Sequence, residues 1–206
     1  MKIAVVGAGI SGLSAAYYLS KKHKVDLFEK ENQFGGHANT IKVAYNPNKE
    51  IPIDIGFMVF NKQTYPNLIN FFLENKIEIE KSDMSFSVTV ENSGLEYCGK
   101  GLGGIFSNKK NLFNPKFLKM FFEILSFYKN CEKIEIKKIS SITLGEYLTE
   151  IKISEYFINY HIIPMVSAIW SMPPYEAKQM PLSFFLSFFK NHGLFKIKDR
   201  PQWFTV

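Results

Sequence analysis

The stretch Lys2-Ile3-Ala4-Val5-Val6-Gly7-Ala8-Gly9-Ile10-Ser11-Gly12 runs an apolar, β-branched segment straight into three spaced glycines and then into a helical pattern. Gly7 lets the chain leave a strand tightly, Gly9 leaves room for a pyrophosphate against the backbone, and Gly12 lets helix and strand pack closely. Phosphates would sit at the helix N-terminus, where unpaired N–H groups and the positive end of the dipole converge, with Ala8, Ile10 and Ser11 completing the loop. A second strand, Lys24-Val25-Asp26-Leu27-Phe28-Glu29, ends in a carboxylate at the distance expected of a ribose ligand, with Lys30 beside it. A carboxylate there accepts ribose hydroxyls and repels a 2′-phosphate, which argues against an NADP-type nucleotide. Glycine-rich turns are common, so the spacing alone says little. Strand, glycines, helix, second strand and terminal Glu in one run read as a Rossmann-like dinucleotide-binding unit; a glycine turn used only for packing leaves Glu29 unexplained.

The nucleotide is narrowed downstream, where Gly35-Gly36-His37 follows Glu29 after a short spacer, with Asn39 and Thr40 behind it. Paired glycines let the backbone pass close to a bulky ligand. This extension resembles that of the flavin-binding amine oxidase and phytoene desaturase class, in which the pair follows the ribose acid and the next residue, usually Arg, meets the FAD phosphates. His37 stands at that position; it can donate to a phosphate but brings less charge and no bidentate fork. FAD is the expected cofactor, and a nicotinamide dehydrogenase is the nearest alternative.

The chain has 206 residues, 46% of them hydrophobic, which is ample for a buried core in one or two domains. Its net charge of +6 comes from lysines spread in short groups, not from a basic stripe with interleaved aromatics, so nucleic acid is not an expected partner. That basicity suits anionic ligands or an anionic membrane surface. Cys98 and Cys131 have no CxxC or metal-ligand spacing, and no metal is expected. A reduced, cytoplasmic setting follows as the default. The N-terminus mimics a signal peptide only superficially, because its glycines stand at turn positions. No apolar run approaches the about twenty residues that span a bilayer.

Along the chain, 41–44 and 51–53 read as strands around Asn46-Pro47-Asn48, and Thr64 to Asn75 as a helix with Leu68, Ile69, Phe72 and Leu73 inward. Residues 77–80 and 84–90 alternate like strands, and Glu91-Asn92-Ser93-Gly94 turns the chain into Leu95–Cys98. Gly99 to Gly104 reads as a flexible connection between domains. Beyond it the pattern is helical: Asn114 caps and Pro115 opens one helix to about Asn130, Thr143-Leu144-Gly145-Glu146 fits a capping box, Ser154 starts a segment towards Pro164, and Pro181 starts one ending near Gly193. Phe117, Met120, Phe121, Ile124, Leu125 and Tyr128, then Phe184, Phe185, Leu186, Phe188 and Phe189, fit a core. They also fit an apolar substrate cavity with a lipid-touching face, since Lys116, Lys119, Lys129 and Lys190 flank them.

Several segments together resemble one bacterial family of FAD-dependent oxidoreductases within that superfamily, known as predicted NAD/FAD-binding proteins. They are Val5 to Gly12, Phe34 to Thr40, Asp54-Ile55-Gly56-Phe57-Met58-Val59-Phe60-Asn61, Gly94 to Tyr97, Asn114 to Leu118, Pro164 to Ser171 and Arg200 to Trp203. In this family His37 is usual. The resemblance implies an α/β fold: a Rossmann-like FAD-binding domain with a parallel sheet, begun by residues 1–80, and an inserted mixed α+β, helix-rich substrate domain in 81–206. It further implies longer chains, so that the C-terminal half of the fold lies outside this sequence and the fragment alone is inactive. Gly56 would approach the flavin, with Asp54 orienting its loop, and His161 and Trp170 are candidates for the substrate pocket. No catalytic acid–base group stands out, in keeping with flavin chemistry, where the protein positions substrate and excludes water. The expected function is hydride transfer between an apolar, lipid- or isoprenoid-like molecule and flavin. The alternatives are an NAD-dependent dehydrogenase and a non-catalytic nucleotide-binding module.

Overall fold

A computed structural model describes residues 1–139, 141–196 and 199–206. The β-branched run forms β1 (Lys2–Val6), which pairs in parallel with β2 (Lys24–Phe28) in the register Lys2↔Lys24 through Val6↔Phe28. Parallel neighbours require a crossover, here supplied by α1 (Ile10–Ser20). An antiparallel hairpin follows, β3 (Thr40–Asn46) and β4 (Lys49–Asp54), its turn closed by Asn46 Oδ1 accepting the Asn48 N–H at 3.0 Å. Next come β5 (Phe60–Asn61), α2 (Pro66–Glu74) and β6 (Glu80–Ser82). Tyr65 is the residue before α2, so the helix begins later than Thr64; Asn61 Oδ1 instead takes the Thr64 N–H and hydroxyl, both at 2.8 Å. Phe71, not Leu73, faces inward against Tyr17, with ring centroids 5.4 Å apart, and Leu73 is 70% exposed.

The remaining elements are β7 (Ser87–Val90), β8 (Leu95–Cys98), α3 (Gly101–Ile105), α4 (Pro115–Lys133), α5 (Leu144–Glu150), α6 (Glu155–Phe157), α7 (Ile163–Trp170), α8 (Pro174–Gln179), α9 (Leu182–Asn191) and β9 (Trp203–Thr205). They divide into two units: Met1–Asp83 with Gln202–Val206, and Met84–Pro201. The first unit therefore extends past residue 80 and regains the last residues of the chain, which the sequence reading assigned to the second domain. The reason is β9, which pairs antiparallel with both β5 and β6 and stacks Phe204 on Phe60.

In the second unit β7 and β8 form an antiparallel hairpin, with Gly94 at φ 62° in its turn. The Gly99–Gly104 stretch is not a loose connection: residues 101–105 are helical, and a Cβ on Gly104 would lie 2.7 Å from the Cys98 carbonyl oxygen. Asn114 caps α4 through the Lys116 and Phe117 N–H groups, and Thr143 with Glu146 makes the capping box of α5. Phe127, Phe157, Phe185, Phe189 and Phe195 form a continuous ring network in the core. On the phenylalanine-rich helices Phe117, Phe127, Phe185 and Phe189 are thus taken up by the core, whereas Phe122 and Phe184 face water.

Helix continues through Pro164 instead of ending there. Between α6 and α7 lies a π-helical turn, Ile158–Ile162, in which the Ile163 N–H reaches back to the Ile158 carbonyl. Proline has no N–H for the carbonyl four residues earlier. That carbonyl, of Tyr160, accepts the Tyr97 hydroxyl at 2.7 Å.

Candidate dinucleotide site

The site is built where β1 and β2 end. Gly7, at φ 93°, donates its N–H to the Phe28 carbonyl at 2.7 Å and so holds the glycine turn against the end of β2. Gly12 sits so close beneath that a Cβ would lie 1.8 Å from the Gly7 oxygen, a contact only glycine permits. Gly9 precedes α1 as its cap but has no side chain to accept from the first turn, whose N–H groups lack intrahelical partners. No acidic side chain stands in that turn. A positive dipole end and unpaired donors together make an anion site.

A second strand of backbone closes over this turn. The Gly35 N–H donates to the Ala8 carbonyl at 2.8 Å, and Gly9 and Gly35 form a parallel bridge. A Cβ on Gly36 would come within 3.0 Å of the Gly9 Cα, whereas one on Gly9 would meet nothing nearer than 4.0 Å. Gly9 therefore keeps open space, and the paired glycines form its wall.

Glu29 anchors the other end. Its carboxylate accepts the N–H groups of Ala8 at 2.6 Å, Lys30 at 2.7 Å and Glu31 at 3.0 Å. The N–H groups of Glu31, Ala8 and Lys30 hold the carboxyl below the usual carboxylate range, so it is ionised at neutral pH. Oε1 takes the Lys30 and Glu31 donors and Oε2 the Ala8 donor, so Oε2 keeps a lone pair for a further donor. The Lys30 ammonium is exposed and lies 3.8 Å from Glu31.

A cleft of about 980 Å³ opens from this cradle, within the first unit. Gly7, Gly9, Ile10, Ser11, Gly12, Gly35, Gly36 and His37 line it, so most of the residues chosen from sequence meet at one surface. Ala8 is fully buried and contributes through its backbone. The far wall is largely apolar: Phe57, Met58, Phe60, Tyr65, Leu68, Phe72 and Ile77. Sequence reasoning placed Leu68 and Phe72 inward on one helix but missed the wall as a whole, because Phe57, Met58, Phe60 and Ile77 join them from separate elements. Asp54 lies at the cleft edge and accepts the Thr40 hydroxyl at 2.6 Å, fixing the end of the hairpin.

Three candidates stand elsewhere or act differently. A Cβ on Gly56 would lie 1.8 Å from the His37 carbonyl oxygen, and Phe57 N–H donates to that oxygen at 2.8 Å. Gly56 is thus required by chain-on-chain packing behind His37. His161 belongs to the core of the second unit: Tyr97 Oη lies 3.0 Å from its Nδ1 and Tyr128 Oη 2.9 Å from its Nε2. Both ring nitrogens are satisfied, and burial pushes its pKa down to about 3, so the imidazole is neutral. Trp170 packs on Phe184, Phe188 and Phe189, with centroids 4.7 Å from Phe188. These contacts place His161 within the core of the second unit and pack one side of the half-buried Trp170 against α9. Among the described residues no group of His, Cys, Asp and Glu is arranged to hold a metal ion.

The family model of an NAD(P)-binding Rossmann-like domain matches residues 5–74, the span that builds the cradle. Rat (Rattus norvegicus) prenylcysteine oxidase 1 is 56% identical over 46 residues, 20% of this chain and 9% of that protein. The 4,4′-diapophytoene desaturase of Staphylococcus aureus is 54% identical over 43 residues, again 20% of this chain and 9% of the relative. Over nearly the whole chain (98%), the fold matches 46% of a putrescine oxidase structure, with a TM-score of 0.59 at 17% identity. The chain thus spans about half the length of that structure, and its close sequence match covers a small part of each relative. Residues 5–74 match an NAD(P)-binding Rossmann-like domain, and the chain as a whole is similar in fold to part of the putrescine oxidase structure.

Proposed function

We propose that the chain binds FAD and contributes the nucleotide half of an oxidoreductase that moves a hydride between an apolar substrate and the flavin. The observation that carries this reading is the open space at Gly9, walled by Gly35 and Gly36 and facing the uncapped N-terminus of α1. The residues present fit the group. The first-turn N–H groups of α1 would hold the pyrophosphate, Glu29 would take a ribose hydroxyl on the remaining lone pair of Oε2, and His37 would donate to a phosphate at the cleft edge. When bound, flavin would supply two-electron acceptance from a C–H bond. The chain's own part is to bind, orient and exclude water, for which Phe57, Met58, Phe60 and Phe72 provide an apolar wall.

Support for an apolar substrate comes from this wall and from the prenylcysteine and diapophytoene named in the relatives, not from the buried rings of the phenylalanine-rich helices, which pack in the core. The test is titration of the chain with FAD and with NADH, followed by anaerobic addition of prenylcysteine, 4,4′-diapophytoene or putrescine to FAD-loaded protein that also carries the half of the fold lying outside this sequence. FAD binding in preference to NADH, with bleaching of the visible band by the apolar compounds, is expected. Preference for NADH contradicts the cofactor, and bleaching by putrescine alone contradicts the substrate class.

A further inference from the structure

We infer that the corner of the second unit made by residues 97–122 is a docking surface for an anionic lipid bilayer. From Tyr97 to Phe122 the chain carries Lys100, Lys109, Lys110, Lys116 and Lys119 and no Asp or Glu. In the same stretch large apolar side chains face water: Phe113 is 87% exposed, Leu102 67%, Phe122 64% and Leu112 47%. Isolated exposed apolar residues are ordinary, but several large ones together with an unbroken basic run are the composition of an interfacial anchor.

The structure holds this stretch as one built corner. Asn111 Nδ2 donates to the Glu96 carbonyl at 2.9 Å, and Asn108 Nδ2 to the Gly94 carbonyl at 3.2 Å, tying the turn Lys109–Phe113 to the β7–β8 hairpin. Phe106, one turn beyond Leu102, contacts Phe117 and Phe121, and Phe121 contacts Phe122, so ring packing links the end of α3 to α4. On α4, Lys116, Lys119 and Phe122 recur every three residues and all three are exposed, which puts ammonium groups and an aromatic ring on one stripe. Phe113 stands just before that helix. Lys119 is shared with Glu123 at 3.9 Å, Glu155 lines the same groove as Lys116, and Glu91 and Glu96 lie on the neighbouring hairpin, so the positive character rests chiefly on Lys109 and Lys110.

Charge decides the occupant. A protein partner for Phe113 and Phe122 would leave the lysine run unexplained, whereas an anionic leaflet takes aromatic side chains into its interface and attracts nearby lysines. Among the described residues no helix is long and apolar enough to cross a membrane. Lys190, flanking the later aromatic helix, is engaged by the Ile134 carbonyl and takes no part. This surface is independent of the nucleotide reading.

The test is flotation of the full chain with vesicles of phosphatidylcholine alone and with an equimolar mixture of phosphatidylcholine and phosphatidylglycerol, at low and high salt. Binding to the mixed vesicles, weakened by salt, is expected. Phe113→Ser with Phe122→Ser, and separately Lys109→Glu with Lys110→Glu, should each lower the bound fraction by roughly tenfold or more. All four positions are exposed, and an unchanged melting temperature confirms that each variant folds. No flotation, equal binding to both vesicle types, or binding indifferent to both double variants overturns the assignment. So does concentration-dependent self-association that Phe113→Ser with Phe122→Ser abolishes without vesicle binding, which would assign the face to a second copy.

Discussion

The carboxylate of Glu29 accepts the backbone N–H of Ala8 at 2.6 Å, joining the end of β2 to the middle of the glycine turn. One side chain thereby presets the turn and, under the proposed function, presents the remaining lone pair of Oε2 to a ribose. Glu29→Gln places an amide where three backbone donors converge, so at least one donor meets NH₂ instead of an acceptor. Dinucleotide affinity should fall at least several-fold in a fluorescence titration, with a lowered melting temperature. Because the folded pKa lies below its unfolded value, the contribution of Glu29 is present above the unfolded carboxylate range and lost as pH falls through the folded value. Unchanged affinity would remove the ribose assignment.

Gly9 and Gly12 separate binding from folding. A Cβ at Gly12 strikes the Gly7 oxygen at 1.8 Å, so Gly12→Ala should markedly lower the melting temperature. Gly9→Ala meets nothing closer than 4.0 Å and should leave the melting temperature unchanged while weakening dinucleotide binding. Gly9→Glu should abolish binding by placing a carboxylate in the phosphate space. Gly56→Ala belongs with Gly12, since its Cβ would meet the His37 oxygen at 1.8 Å. Calorimetric melting and titration on the same samples distinguish the two classes.

The cradle was legible because its determinants are local. Gly7, Gly9, Gly12 and Glu29 lie within one βαβ unit, where steric needs fix residue type at fixed spacing. Caps were legible for the same reason, as at Asn114 and Thr143. The apolar wall was not, because Phe57, Tyr65 and Phe72 meet only through tertiary folding. Gly56 shows a subtler limit: sequence marks the need for close approach but not what approaches, and His37 is the neighbour. The return of β9 to the first unit had no local signal either, since Trp203–Thr205 is short and its partners lie far back in the chain.

His161 gives the second unit a pH dependence. Tyr97 donates to the Tyr160 carbonyl, so its oxygen accepts from Nδ1–H, and Nε2 accepts from Tyr128. The imidazole is therefore the Nδ1–H tautomer, a state nitrogen NMR can read. Burial holds its pKa down at about 3 against about 6.5 unfolded, so the unfolded chain binds the extra proton first. Its contribution to stability is intact above about pH 6.5 and declines towards pH 3, by up to about 1.4 kcal/mol per pH unit. Denaturant midpoints of His161→Asn against the parent chain should show that slope reduced. Equal slopes would place His161 in contact with water.

Cys131 is buried in the core of the second unit, and burial pushes its thiol up to about 12, with Tyr147 as hydrogen-bond neighbour. A thiolate is the reactive form. A thiol reagent should therefore leave Cys131 unmodified in the folded chain and label it only in denaturant, as mass spectrometry of the labelled peptides reads directly.

The most direct test of the cradle is isothermal titration of FAD into the chain beside Gly9→Ala and Gly9→Glu of unchanged melting temperature. Saturable binding at one site, weakened in the first variant and absent in the second, is the predicted result. A folded parent chain that takes up no FAD, or equal uptake by all three proteins, would contradict the placement of the dinucleotide at Gly9.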